Sequence, residues 1–543
     1  MSRLERATAF VSKPRIRNLW TLIVIVFFLA FVITPTLFVL TYAFTNWDLI
    51  QTEVIQDPEM MSQIWTAIAN SFEIAAIVTL IDILVGLPMA WILVRKKFRG
   101  KELLDTLIDM PLAVPTAALG FSAAIFWGIT PADLTNPLGL KIVSSPFLLI
   151  ILLHIIFSYP YMVRSLSAIL EQIDQTFETA GQTLGASKLT AVRTITLPLF
   201  RAGLVTGIIL CFARSLSETG GTVAALATVA NTDFNTAPTL IDSLKSTPAL
   251  AFTSIVLIIL ALVLLVVVAI VVKKLHIPFR KVWPRPEKIL SRGLAPRLKD
   301  ATSVLFLVFI VLIPSFFVFT FVFTSSPSTT TDWSQFGQSL VNSFLIAGVV
   351  TVIDLAMGIP LALYIAKNRS KWLPETLDIL VNVPLIVPTV ALGFSLKLFW
   401  TGGTPVSGPF AIFLVMLAHI AFTYPLMVRN VTGAVEEIDP TYEETARTLG
   451  AKPIQGFKRV LFPMIKASIL AGAIMAFTRS LGETGATRAV STTVLTAPNY
   501  IVNLIKLEND YYAAALACII LIIISYALML ALRYITRRRK GVS

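Results

Sequence analysis

The chain has 543 residues, of which 56% are hydrophobic and only 14% charged, with a formal net charge of +13. A soluble domain has about a quarter of its residues charged, so a soluble globular protein is excluded, and in a membrane chain the positive excess points to retained loops rather than to nucleic acid. The two cysteines, Cys211 and Cys518, both lie inside apolar runs, which excludes a disulfide framework, a CxxC redox motif or a zinc site.

In chain order, Arg3, Arg6, Lys13, Arg15 and Arg17 precede the first apolar run, 19–44. That run is too long for a signal-peptide core and has no clear small-x-small cleavage site, so it is expected to persist as a helix. Further apolar runs predict helices near 66–94, 103–129, 146–168, 200–225 and 250–272. A basic stretch, 273–300, follows, and six more helices are predicted near 302–324, 338–366, 374–400, 408–430, 465–490 and 511–534. Each run is of the order of the ~20 residues that cross a hydrocarbon core, so the expected fold is an all-α polytopic membrane protein with about 12 transmembrane helices.

The chain also repeats itself. "SYPYMVRS" at 158–165 returns as "TYPLMVRN" at 423–430, and "RSLSETGGT" at 214–222 as "RSLGETGAT" at 479–487, both at an offset of 265. "NSFEIAAIVTLIDILVGLP" from Asn70 returns from Asn342, and "MPLAVPTAALGFS" from Met110 matches "VPLIVPTVALGFS" from Val383. The chain therefore divides into a first half, 1–272, a basic linker, 273–300, and a second half, 301–543. Basic residues cluster in the N-terminus, in "RKKFRGK" (95–101), in the linker and in "RRRK" (537–540), while 45–63 has none. With six spans per half, these all fall on one face, which predicts cytoplasmic termini. An even number of spans makes the repeat parallel, with its pseudo-twofold axis along the membrane normal. The linker reads as a solvated tether, with contact to anionic lipid as the alternative.

Between the fourth and fifth spans each half carries a polar stretch, 171–198 and 436–463. Asp174 and Asp439 suit helix N-caps, Pro440 the first helical position, and Glu443 and Glu444 the positive end of a helix dipole. Gly185 and Gly450 suit the left-handed residue that ends a helix. Pro198 and Pro463, each 13 residues beyond its glycine, are expected to mark the bend into the fifth span. The result is a helix, a glycine elbow and a second short helix on the cytoplasmic face.

The fifth spans carry Arg214 with Glu218 and Arg479 with Glu483. Charge at membrane depth usually faces a pore or a partner, and the four-residue spacing lets each Arg and Glu pair on one face. They either fix helix packing or line the translocation path or its gate, with Thr219 and Thr484 and the glycines beside them offering hydroxyls and amides to a solute. His154 and His419 read as buried packing residues. Pro88, Pro111, Pro115, Pro360, Pro384 and Pro388 are expected to kink pore helices.

The polar stretches resemble the EAA loops of binding-protein-dependent ABC transporter permeases. The second copy matches well, through Glu444, Thr445, Ala446 and Gly450. The first has Thr179, Ala180 and Gly181 at the core, with Glu178 adjacent. The resemblance implies a type I importer permease with both pore halves in one chain. It places ATPase coupling on Glu178, Ala180, Gly185 and Pro198 and on Glu443, Glu444, Ala446, Gly450 and Pro463. It also implies an ABC ATPase dimer that binds the ATP, since no GxxxxGK[ST] occurs here, together with an extracytoplasmic solute-binding protein and a plasma-membrane location. The permease itself would need no cofactor. "RSLGETGAT" is similar to sulfate, molybdate and tungstate permeases, which implies an oxyanion cargo. Fused permeases for ferric iron or thiamine are the alternative. An ion-coupled secondary transporter using Glu218 and Glu483, or a membrane enzyme, is the alternative class.

Overall fold

The computed structural model describes residues 14–128, 140, 142–229, 232–274, 284–291, 293–325 and 331–538. The basic residues Arg3, Arg6, Lys13, Arg280, Lys281, Arg292, Arg539 and Lys540, on which the predicted orientation draws, lie outside them. The described residues are helical, apart from turns, short extended stretches and an isolated bridge between Gly128 and Val143. Among them, 9 helices are long and apolar enough to cross a membrane, or up to 12 spans if each of three bent pairs is one span.

The first half contains α1 (Pro14–Leu37), α2 (Pro58–Arg95), the bent pair α3 (Lys101–Leu112) and α4 (Thr116–Trp127), and α5 (Pro146–Gln172). It continues with α6 (Thr176–Thr183), the bent pair α7 (Lys188–Leu199) and α8 (Leu204–Leu216), α9 (Gly220–Leu226), α10 (Ala237–Ser243) and α11 (Thr247–Lys274). The linker carries α12 (Pro284–Leu290). The second half has α13 (Ala295–Phe316), α14 (Trp333–Lys367), the bent pair α15 (Trp372–Ile386) and α16 (Thr389–Thr401), and α17 (Gly408–Glu436). It ends with α18 (Thr441–Thr448), α19 (Pro453–Leu481), α20 (Gly485–Val490), α21 (Ala497–Asn503) and α22 (Tyr511–Arg538).

Proline chemistry shapes the spans. Pro35 and Pro314 have no N–H, and their rings crowd the carbonyl four residues back. The helix widens to π turns just before them, at Phe28–Ile33 and Leu307–Leu312,. A serine of the opposite half enters each ladder just beyond. Ser395 Oγ donates to Pro35 O (2.7 Å) and accepts from Val39 N (2.8 Å). Ser122 Oγ does the same with Pro314 O (2.6 Å) and Val318 N (3.0 Å). Ring contacts agree: Phe28 stacks on Tyr424 at 5.7 Å and Phe31 on Trp400 at 5.5 Å, while Phe306 lies 5.6 Å from Tyr159. The first span of each half therefore packs against the other half. Both apolar cores draw residues from the two halves.

Two spans expected near 103–129 and 374–400 are sharply broken, by 101° between α3 and α4 and by 108° between α15 and α16. The residue before a proline is pushed out of the helical region, and Val114 and Val387, before Pro115 and Pro388, are extended. The expected bend before the fifth span holds for one half only. The angle from α7 to α8, just past Pro198, is 72°, whereas α19 runs through Pro463 as one helix. A π turn precedes the proline in both halves, at Val192–Thr196 and at Phe457–Leu461, so the two differ only beyond it. The linker also differs from a solvated tether, because α12 buries Glu287 against the first half.

The short helices α4 and α9 touch through their backbones. A Cβ on Gly120 would stand 2.0 Å from Gly221 O. Gly120→Ala is therefore expected to cost about 1–3 kcal/mol, as overpacking does, and to lower the temperature at which the detergent-purified chain loses its monodisperse elution peak. Gly348→Ala in α14, where a Cβ meets open space, is expected to leave that temperature unchanged.

Candidate functional site

Two regions bring the predicted residues together. The first lies where α5 and α17 end. Asp174 Oδ1 accepts from Thr176 N (2.8 Å) and Asp439 Oδ1 from Thr441 N (2.9 Å), capping α6 and the segment leading into α18,. These amide bonds hold both carboxyls below the usual carboxylate range. The caps are therefore intact at neutral pH, and their contribution is lost only as pH falls through those depressed values. Gly185 and Gly450 take φ of +93° and +82°, the left-handed elbow that a side chain would strain.

Glu178 does not face outward. It is buried, with Arg95 Nη2 at 3.2 Å and Thr196 Oγ1 donating at 3.0 Å. Arg95 Nη2 also donates to Ile173 O (2.7 Å), so the end of α2 grips the start of the elbow. Its counterpart Glu443 pairs with Lys367 at the end of α14 (2.5 Å). Glu444 and Ala180 are exposed, and Ala446 is half-buried. The position matching Ala446 is Gly181, where a Cβ would meet Ile195 Cδ1 at 2.7 Å. The first copy's departure from the EAA pattern thus has a packing cause: Ile195 occupies the space.

The outward face of each elbow went unnoticed in the sequence. Leu184 and Leu449 are 89% and 83% exposed, and Phe177 and Tyr442, about two helical turns earlier on the same side, are 54% and 55% exposed,. These large apolar side chains stand free of the rest of the chain beyond the spans' ends. Their signal was available as matching apolar residues in two otherwise polar stretches. Arg164 and Arg429 tie α5 to α3 and α17 to α15, reaching Asp105 and Asp378 at 2.6 Å each.

The second region lies on the pseudo-twofold axis. Arg214 Nη1 meets Glu218 Oε2 at 2.5 Å, and Arg479 Nη1 meets Glu483 Oε2 at 2.5 Å. Each guanidinium lies over a phenylalanine, Phe157 at 5.3 Å and Phe422 at 5.0 Å. Beyond the pairs the helices break, and Glu218 and Glu483 accept the freed amides of Gly221 (2.9 Å) and Ala486 (3.1 Å). The breaks of the two halves touch. A Cβ on Gly220 would stand 2.4 Å from Thr484 Oγ1, and one on Gly485 2.8 Å from Thr219 Oγ1. Thr219 and Thr484 are buried, and their hydroxyls have no hydrogen-bond partner among the described residues. A pocket between the halves is lined by both Arg214 and Arg479.

His154 and His419 are packing residues, as expected. His154 bridges Ser215 (2.8 Å) and Thr222 (2.9 Å), and His419 bridges Ser480 and Thr487 (2.8 Å each), tying α5 and α17 across the helix breaks. Asp82 and Asp354, at matching places in α2 and α14, are fully buried carboxyls that the sequence reading passed over inside an apolar repeat block. Asp82 accepts from Ser158 Oγ.

At the end of the bundle opposite the elbows, one ion pair joins the halves. Arg488 on α20 holds Asp242 on α10 through Nε–Oδ1 (2.8 Å) and Nη2–Oδ2 (3.2 Å). Lys506 stands 3.8 Å from the same carboxylate. The positions related by the repeat are Val223 and Val502, both buried in one apolar core.

This geometry is that of a membrane pore built from two broken-helix halves. The family model for the "Binding-protein-dependent transport system inner membrane component" matches residues 82–277 and 358–541, more than half of the chain. The chain belongs to this family and is an ABC importer permease with one family unit in each half. The alternative classes of ion-coupled transporter and membrane enzyme are thereby set aside. It is 32% identical over 198 residues to the Molybdenum transport system permease protein ModB of Escherichia coli K12, covering 36% of this chain and 83% of that one. It is 35% identical over 173 residues to the Sulfate transport system permease protein CysT of Salmonella typhimurium LT2, covering 30% of this chain and 62% of that one. A probable sulfate permease cysT of Marchantia polymorpha is 34% identical over 200 residues, 36% of this chain and 66% of that one.

Removing one partner of a mostly buried ion pair costs about 3 kcal/mol. Asp242→Arg alone is expected to lower transport in reconstituted vesicles, and Asp242→Arg with Arg488→Asp to restore most of it. Equal loss in single and double variants would show that the pair does not join the halves.

Proposed function

We propose that this chain moves a tetrahedral oxyanion, of the molybdate, tungstate or sulfate kind, into the cell. The observation that carries the reading is the meeting of two arginines and two unpartnered threonine hydroxyls at the twofold axis. A guanidinium fork suits a tetrahedral oxyanion bidentately, and buried hydroxyl donors without partners are ready for an acceptor. Glu218 and Glu483 balance the arginines while the site is empty, so the pore carries no net positive trap and can release its cargo. The names of the relatives, molybdenum and sulfate permeases, support the same class. A ferric cargo would call for free carboxylates, and both glutamates here are held by arginine and backbone amide.

The elbows at 176–196 and 441–461 are the seats of a separate ABC ATPase dimer on the cytoplasmic face, one subunit on each, and the ATP belongs to that dimer. Phe177 with Leu184, and Tyr442 with Leu449, fill the receiving clefts. Gly185 and Gly450 set the angle between the paired short helices. Ala180 and Ala446 allow close approach, and Glu444 stands at the rim. Closure of the ATPase dimer draws the elbows together, and the pull travels along α5 and α17 to the broken helices at the axis. An extracytoplasmic binding protein delivers the solute at the end where Asp242 and Arg488 join the halves. Both termini then face the cytoplasm of a plasma membrane.

Leu449→Asp and Gly450→Asp are each expected to reduce recovery of the co-purifying ATPase while the chain's membrane level stays unchanged. Full recovery in both would remove the coupling role of the elbow. Thr219→Val with Thr484→Val removes both hydroxyls and keeps their shape. Hydrogen bonds to a charged group are worth about 1.5–3 kcal/mol each, so uptake of radiolabelled sulfate or molybdate by vesicles holding the assembled transporter is expected to fall at least tenfold, with ATPase recovery intact. Unchanged uptake of every oxyanion tested would displace the cargo from these threonines.

A further inference from the structure

The linker helix α12 lies on the first elbow. The Glu287 carboxylate accepts from Thr190 Oγ1 (2.5 Å) and Arg193 Nε (2.8 Å), with Arg193 Nη2 at 2.7 Å. Ser291 Oγ accepts from Leu189 N (3.0 Å) and lies 3.3 Å from Ser187 Oγ. Ser187 Oγ in turn caps α7 by accepting from Thr190 N (3.2 Å). Residues 187, 189, 190 and 193 cover the first turns of α7, so the linker fixes that helix at its start. Beyond the linker, Asp300 on α13 pairs with Lys96, next to the Arg95 that holds Glu178. The first elbow is thus gripped from both sides.

The second elbow is held differently. The positions matching Thr190 and Arg193 are Gln455, half-buried, and Lys458, exposed. The brace at its start is the Lys367–Glu443 pair, whose lysine is 36% exposed, against 9% for Arg95 in the corresponding pair.

We propose that the linker between the halves is part of the first ATPase seat, and that Glu287 is a positioning residue that makes this seat preformed while the second seat adapts on docking. A preformed surface loses less freedom on binding. The departure of the first elbow from the EAA pattern at Thr179, Ala180 and Gly181 then has a compensation outside the elbow. This inference rests on the reading of the elbows as ATPase seats.

The test uses the full chain with its co-purified ATPase in nanodiscs. Thr183→Cys and Thr448→Cys place equivalent, exposed cysteines on the two elbows, while Cys211 and Cys518 are buried. A reagent joining thiol to amine links each position to the ATPase. Glu287→Ala is expected to lower the yield from position 183 by about tenfold, the change that follows from about 1.4 kcal/mol, and to leave the yield from 448 unchanged. Arg193→Glu with Glu287→Arg is expected to restore the yield at 183, which a general folding defect would not allow. Equal losses at both positions, no loss at 183, or no rescue by the exchanged pair overturns the proposal. No cross-link from either position in the parent chain overturns the seat reading itself, and this inference with it.

Discussion

Within a bilayer a freed backbone amide or carbonyl finds no water, so a helix can break only where other protein groups take up what the break exposes. This chain breaks its helices repeatedly, at Val114 and Val387, beyond Leu216 and Leu481, and around Pro35 and Pro314. The breaks around the two prolines and beyond Leu216 and Leu481 are each met by a specific side chain. Ser395 and Ser122 enter the ladders near the prolines from the opposite half. Glu218 and Glu483 take the amides of Gly221 and Ala486. The same glutamates hold the arginines, so satisfying the backbone and building the charged site are one arrangement. The exchange of α1 and α13 follows from the same need, because the serines that serve them lie on the other half's broken pair.

Much of this was legible in the sequence where the signal was local or repeated. The spans followed from apolar runs, the halves from repeated blocks, the elbows from glycine after a capped polar helix, and the Arg–Glu pairs from four-residue spacing. What escaped depended on distance or direction. Val114–Pro115 announces a non-helical residue, yet nothing local says that the chain turns through 101° there. Asp242 and Arg488 are 246 residues apart, and their repeat partners are valines, so aligning the halves conceals the pair. Leu184 and Leu449 recur at matching places in polar stretches, but their exposure belongs to the fold. Glu287 sat in a basic stretch whose charge suggested solvent, and its burial depends on Thr190 and Arg193 almost a hundred residues earlier.

In a twofold assembly of identical chains every substitution appears twice. Here a single chain supplies both halves, and corresponding positions have diverged. Gly181 faces Ile195 where the second elbow has Ala446. Cys211, bonded to Ser158 O at 3.3 Å, stands where the second half has Ala476. Arg488 and Asp242 form an ion pair where the related interface has Val223 and Val502. Around the axis, where the two copies meet each other, His154 with His419 and Arg214 with Arg479 keep matching geometry in both halves.

The two divergent interfaces are different in physical kind. A fork of two hydrogen bonds between guanidinium and carboxylate fixes distance and angle together. Apolar contact between valines is non-directional and tolerates sliding. The end of the bundle that holds Asp242 and Arg488 therefore has one contact that sets register and one that lets surfaces shift. At the elbow end the division recurs: α12 fixes α7 through charged hydrogen bonds, while Lys458 in the second half faces solvent. A pore whose halves must rock against each other gains from this pairing of a stiff contact with a yielding one, since two stiff contacts would resist the motion and two yielding ones would leave the axis, and the arginines on it, without a fixed reference.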